Sequence, residues 1–152
     1  MTAYVNIGSN KGNRRENLSR AIALLDFPGL RVSETVETAP WGFESSRSFL
    51  NVGVAFETDL GPEALLLKLL EIQNTVDPSP HRDASGAYID RAVDIDLVAV
   101  DDLVVETPAL TLPHPRMHLR DFVLIPMAEL APDWRHPLLR KTAASLLEAF
   151  RP

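Results

Sequence analysis

Hydrophobic and polar residues alternate along this chain with two periods, one of strands and one of helices. Ala3 to Ile7 reads as a strand that runs into the polar turn Gly8-Ser9-Asn10-Lys11-Gly12. Asn13 and Glu16 then have capping-box spacing, and Leu18, Ala21, Ile22 and Leu25 fall at i, i+3, i+4 and i+7, which predicts a helix with one apolar face. Arg31 to Thr38 alternates as a half-exposed strand. A Pro- and Gly-bearing stretch, Ala39 to Ser48, separates it from a second strand, Phe49 to Thr58, rich in Val and Phe. Pro62 suits the first turn of another helix, whose buried face is Leu65, Leu66, Leu69, Ile72 and Val76. It stops before Asp77-Pro78-Ser79-Pro80, and the polar, irregular residues from there to Ala92 form a connection of unusual length, which more often marks function than accident. Val93 to Val100 is the next strand. The tail predicts a short strand over Leu103 to Val105, a Pro-rich segment, a helix beginning at Pro126 and a C-terminal helix from Leu138 to Phe150.

The order β-α-β-β-α-β is that of a ferredoxin-like split βαβ unit, an antiparallel sheet with helices packed on it, so the fold class is α+β. The C-terminal helices are expected to cover the sheet further. With 152 residues, no internal repeat and no shift in composition, residues 1–152 are expected to form one domain.

Charge and composition narrow the function. A net charge of −6 argues against a surface built for nucleic acid or an anionic membrane, so an anionic ligand needs a local basic cluster. The chain has no cysteine, which excludes disulfides, thiolate metal sites and a Cys nucleophile and leaves oxygen or imidazole for any metal. The N-terminus has neither a basic nor a long apolar region, and no apolar run approaches the ~18 residues of a membrane span. A cytoplasmic monomer acting on small molecules is the expectation.

Three constellations carry candidate chemistry. In the strand Val93 to Val100, Asp94 and Asp96 share one face, roughly 6.5–7 Å apart at Cα. Carboxylates so placed raise each other's pKa unless an Arg or a cation compensates, and Mg²⁺ held together with substrate phosphates is a natural partner. A strand face open to solvent has the same spacing. Around this strand gather Arg82 and Arg91 before it, and His114, Arg116, His118 and Arg120 after it. Arg suits phosphate through its planar two-pronged fork, although scattered surface ion pairs would read alike. His114 lies between Pro113 and Pro115, which restrict its backbone on both sides. Trp41 in the first long loop, Phe49 and Phe122 form an aromatic set that could stack on a flat heteroaromatic ring, with Asn51 reading its edge; either Phe could equally be an ordinary core residue.

Taken in order, Gly8-Ser9-Asn10, Thr38-Ala39-Pro40-Trp41-Gly42, Phe49-Leu50-Asn51, Asp90-Arg91-Ala92-Val93-Asp94-Ile95-Asp96, Leu112-Pro113-His114-Pro115-Arg116-Met117 and Arg120-Asp121-Phe122-Val123-Leu124-Ile125-Pro126 resemble the 6-hydroxymethyl-7,8-dihydropterin pyrophosphokinase family of folate biosynthesis. The resemblance spans residues 3 to about 132. It implies transfer of pyrophosphate from ATP to the hydroxymethyl group of the pterin, with release of AMP. It further implies that Asp94 and Asp96 hold two Mg²⁺ ions, and that the pterin lies between Phe49 and Phe122, read by Asn51 and by Thr38, Ala39, Pro40 and Trp41. Gln73, Arg82, Arg91, His114, Arg116 and Arg120 would contact ATP, with Arg82 and Arg91 joining the two aspartates in catalysis. The family's Ile-Glu here reads Ile72-Gln73, and one arginine of its Leu-Gly-Arg-x-Arg run is absent from Val76 to Arg82, a role left to Arg82. A Mg²⁺-dependent phosphohydrolase and a non-enzymatic ligand-binding domain of the same fold are the competing readings.

Overall fold

The computed structural model describes residues 1–38, 48–78 and 90–150. Strand β1, Thr2–Ser9, is central, and its alternate residues go to opposite faces. Ala3, Val5 and Ile7 are fully or almost fully buried on one face beneath helix α1, Arg14–Leu24, and helix α2, Pro62–Val76. Tyr4, Asn6 and Gly8 lie on the other. Antiparallel to β1 run β4, Phe49–Glu57, on one side and β5, Asp94–Val100, on the other. Beyond β4 lie two short strands, β2, Arg31–Val32, and β3, Val36–Thr38, giving the order β2-β4-β1-β5 with β3 also on β4. This is the ferredoxin-like arrangement that the element order predicts.

Local chemistry accounts for both helices of the first face. The Asn13 side chain accepts the Glu16 N–H at 3.1 Å, as the capping pattern requires, and Leu18 and Ala21 bury the α1 stripe. Pro62 occupies the first turn of α2, and Leu65, Leu69, Ile72 and Val76 interlock with the Val and Ile residues of β1, β4 and β5.

The structure corrects four boundaries. Arg31 to Thr38 is not one strand: its register against β4 shifts by one residue between Val32↔Val54 and Val36↔Asn51. At that break Ser33 exchanges two bonds with Gly53, one through its hydroxyl, and the Glu129 carboxylate takes the Glu34 N–H. The short strand after β5 is β6, Val105–Glu106, paired with β7, Thr111–Leu112, because Asp101 at φ 47° turns the chain first. Helix α3 spans Asp121–Leu130 and contains Pro126 instead of beginning there. Helix α4 is only Ala143–Phe150: Arg140 has φ 60°, which ends any helix from Leu138, and Thr142 Oγ1 accepts the Ser145 N–H to cap the new start.

Helices α3 and α4 cover part of the second face, where Val98, Ala99, Met117, Val123, Leu124 and Leu146 form a separate apolar cluster. α3 sits so close to the sheet that a Cβ on Gly53 would lie 2.5 Å from the Pro126 Cβ. Gly53→Ala is therefore expected to destabilise the fold by about 1–3 kcal/mol, read as a lower urea midpoint at unchanged m-value.

Candidate active site

The rest of the second face is polar, with Asn6 and Asn51 buried and the two aspartates partly exposed. Register places Asn51, Gly8 and Asp94 in one row across β4, β1 and β5, and Gly53, Asn6 and Asp96 in the next. Because strand side chains alternate, both aspartates share this face, while Val93, Ile95 and Leu97 are buried on the other. Gly8 is required at its position: a Cβ there would come 2.8 Å from the Asn51 amide and 3.4 Å from a ring carbon of Phe49. The absent side chain lets those two groups cross β1.

Each aspartate faces its own arginine. Arg91 grips Asp94 with two parallel contacts, Nη1 to Oδ1 at 3.1 Å and Nη2 to Oδ2 at 3.0 Å. Arg120 Nη1 stands 4.0 Å from Asp96 Oδ2, and its guanidinium carbon lies 5.6 Å from the centre of the Phe122 ring. Burial pushes the Asp96 pKa above the ordinary carboxylate range, with Arg120 and Arg91 opposing the shift. Both guanidinium residues are themselves buried, so their charges act in a poorly screened setting.

The lead-in to β5 is held by side chains to which sequence reading assigns no such structural role. Asn10 clamps residues 90 and 91: its Nδ2 donates to Asp90 Oδ1 at 2.7 Å, its Oδ1 accepts the Arg91 N–H at 2.7 Å, and its N–H reaches Arg91 O. From α2, Asp77 Oδ2 accepts the N–H groups of Ala92 and Val93, and Gln73 Oε1 accepts that of Ile95 at 2.7 Å. Three N–H groups at the entry to β5 are thereby satisfied. The signal for these three is weak, since an Asn after a strand or an Asp after a helix has many uses.

β5 carries a bulge where its pairing with β1 slips between Tyr4 and Val5. Just there the Val98 carbonyl accepts the His114 N–H at 2.8 Å, which fixes the Pro113-His114-Pro115 segment beside the aspartates. Leu112–Pro113 is a cis peptide bond. His114 Nδ1 accepts the Arg116 N–H at 3.2 Å, leaving Nε2 to carry the proton. Burial, reinforced by Arg120 and Arg116, lowers the His114 pKa to about 4.

Gln73, Arg91, Asp94, Asp96 and His114 line one open cleft of about 430 Å³, walled by Leu66 and Leu70 of α2 and by residues 107–111. Phe49, Asn51 and Phe122 belong to the same sheet face, Phe122 in the first turn of α3. Thr38 joins them from β3, its Oγ1 3.1 Å from the Asn51 amide. Arg116 is exposed. Ala39, Pro40, Trp41 and Arg82 lie outside the described residues. Among the described residues no three His, Asp or Glu side chains gather as a complete metal cage, and no helix is long and apolar enough to cross a membrane.

A ferredoxin-like α+β sheet that opens on arginine-matched carboxylates and a neutral imidazole defines a small-molecule enzyme of the phosphate-handling kind. Comparison with known proteins gives the particular family. Residues 4–132 match the model of the 7,8-dihydro-6-hydroxymethylpterin-pyrophosphokinase family. A 2-amino-4-hydroxy-6-hydroxymethyldihydropteridine pyrophosphokinase from Porphyromonas gingivalis is 39% identical over 88% of this chain and 92% of its own length. One of the same name from Aquifex aeolicus is 35% identical over 99% of this chain and 91% of its own. Among solved structures, wild-type Plasmodium falciparum HPPK-DHPS with SDX-DHP superposes with a TM-score of 0.73 at 13% identity, covering 98% of this chain. This chain spans 44% of the length of that one, and at such identity the likeness concerns the fold. The chain belongs to the 7,8-dihydro-6-hydroxymethylpterin-pyrophosphokinase family.

The half-buried neutral His114 has a consequence for stability against pH. Its folded pKa lies below the unfolded value of 6.5, so between pH 6.5 and 4 the unfolded chain binds more protons than the folded one. Stability supplied above pH 6.5 is thus lost as pH falls towards 4. His114→Gln is expected to flatten the thermal midpoint over this window relative to wild type, which a pH series of melting curves measures.

Proposed function

We propose that residues 1–152 act as one pyrophosphokinase domain that transfers the β,γ-pyrophosphoryl group of ATP to 6-hydroxymethyl-7,8-dihydropterin in folate biosynthesis. The hydroxymethyl oxygen forms a bond to the β-phosphorus, and the bond from that phosphorus to the oxygen shared with the α-phosphate breaks. The hydroxyl proton is lost, and AMP leaves with the bridging oxygen. The observation that carries this reading is the row geometry of the second face, which sets an aromatic and amide set beside a carboxylate and arginine set on one sheet. A flat ring bearing a hydroxymethyl arm and a triphosphate are the two ligands such a face would bring together.

The aspartates fit a divalent cation. They are hard oxygen donors, two in number, in a cleft open enough for phosphate oxygens to complete the coordination, as Mg²⁺ prefers. Asp94 and Asp96 would hold Mg²⁺, two ions by the family resemblance, and bound metal would neutralise charge on the triphosphate. The chain's own contribution is positioning and electrostatics. Arg91 and Arg120, buried and pre-oriented, donate to phosphate oxygens where charge develops, without reorganising during the reaction. His114 donates one neutral hydrogen bond through Nε2, which keeps its effect constant over the working pH range. Phe49 and Phe122 stack on the pterin and Asn51 with Thr38 reads its edge, so that the hydroxymethyl oxygen stands in line with the β-phosphorus. Gln73, whose Oε1 accepts the Ile95 N–H, lines the cleft and would contact the nucleotide there.

The test is pterin-dependent AMP release from ATP and Mg²⁺. AMP formed without pterin would favour the phosphohydrolase, and no turnover at all would favour a binding domain. Within this reading, Asp94→Asn and Asp96→Asn should each lower turnover at least ~10²-fold. Their thermal midpoints should differ, because Asp94→Asn breaks a bidentate pair with a buried arginine whereas the Asp96 charge is already disfavoured by burial. Phe122→Ala should weaken pterin binding by roughly 1–3 kcal/mol with ATP affinity nearly unchanged, measured by titration calorimetry with each ligand.

A further inference from the structure

Asn6 is a polar side chain in the middle of the central strand, 4% exposed, where an apolar residue would ordinarily sit. It lies between Gly53 and Asp96 in its row, on the face that α3 covers. Pro126 in that helix has no N–H, so the Phe122 carbonyl, four residues earlier, lacks the donor that would ordinarily meet it. One end of the Asn6 amide stands 3.3 Å from Phe122 O and 3.3 Å from Val52 O. Two carbonyl oxygens can be met only by N–H groups, so this end is Nδ2. The other end, Oδ1, then lies 3.4 Å from the Asn51 amide, which must turn its own Nδ2 towards it. With the Asn51 amide turned in this way, the end of it that stands 3.1 Å from Thr38 Oγ1 becomes Oδ1, and the Thr38 hydroxyl donates to it. A single direction of donation thus runs from Thr38 through Asn51 and Asn6 to the helix.

We propose that Asn6 is a positioning residue for the pterin site: it supplies the hydrogen bond that Pro126 withholds from Phe122, and it sets which way the Asn51 amide points. The first role holds the turn of α3 from which the Phe122 ring projects. The second leaves Asn51 with one N–H and one oxygen lone pair unspent, a match for a planar ring edge that carries an acceptor beside a donor. This inference rests on the proposed pterin pocket.

Kinetics with a compensating substitution test it. Asn6→Leu keeps the volume and removes the amide; KM for pterin should rise about tenfold while KM for ATP stays within about twofold. Pro126→Ala retains the Cβ against Gly53 and restores an N–H for Phe122 O, so adding it to Asn6→Leu should recover part of the loss. Equal changes in both KM values, or a lower thermal midpoint with both KM values unchanged, would overturn the proposal, as would strict additivity of the two substitutions. Should Asn6→Leu not fold, Asn6→Ala in the Pro126→Ala background is read by the same split. Ring resonances of ligand-free protein provide a readout apart from activity: those of Phe122 should shift on Asn6 substitution and those of Phe56 should not. An unmoved Phe122 ring sinks the positioning role, whereas wild-type protein without pterin-dependent AMP release sinks the proposed function instead.

Discussion

The close contact of α3 with the central sheet at Gly53 governs the second face. Without a Cβ at this point, Pro126 seats directly on β4, and the helix comes near enough for its first turn to stand over Asn6. Phe122 and Arg120 are carried by that turn, so the aromatic wall and the arginine beside Asp96 share one anchor. A helix held even an ångström higher would part Arg120 further from a carboxylate that it meets only at 4.0 Å. Packing between backbone and a proline ring, with no charge in it, thereby sets the electrostatics of the cleft.

The two carboxylates, identical in type and one turn of the pleat apart, are not equivalent. Asp94 has a bidentate partner held by Asn10 through the backbone of Arg91, and its charge is matched before any ligand arrives. Asp96 has only the longer contact with Arg120, and desolvation disfavours its charge. A cation would therefore relieve the second more than the first. The asymmetry comes from the two sides of the strand, since α2 and Asn10 fasten the start of β5, whereas its middle depends on α3 and the bulge near Val98.

Much of this was legible in the residues. The 3.6- and 2-residue periods located β1, α1, β4, α2 and β5 because each buries a whole face and so repeats its pattern over several turns or pleats. The pairing of Asp94 with Asp96 on one face follows from strand alternation alone, and an ordered set of short motifs was enough to indicate the family. Of the misplaced elements, β6 and α4 turned on the positive φ of Asp101 and Arg140, and the other two were decided by contacts distant in sequence. Nothing local distinguishes a Pro that starts a helix from Pro126, which continues one because Asn6, over a hundred residues away, meets the carbonyl it leaves. The interruption of Arg31 to Thr38 is likewise made by Gly53 and Glu129.

Residue type thus settled which chemistry the chain could carry: carboxylates, arginines, an imidazole held between prolines, and aromatic rings in a fixed order. Tertiary structure alone decided how those groups are tuned. The arginine that answers each aspartate, the neutral state of His114 in a desolvated pocket and the direction of the Asn51 amide all depend on distance and burial. Such quantities arise only when strands far apart in the chain are laid side by side, because Coulomb energy, desolvation and hydrogen bonding act through space and not along the sequence.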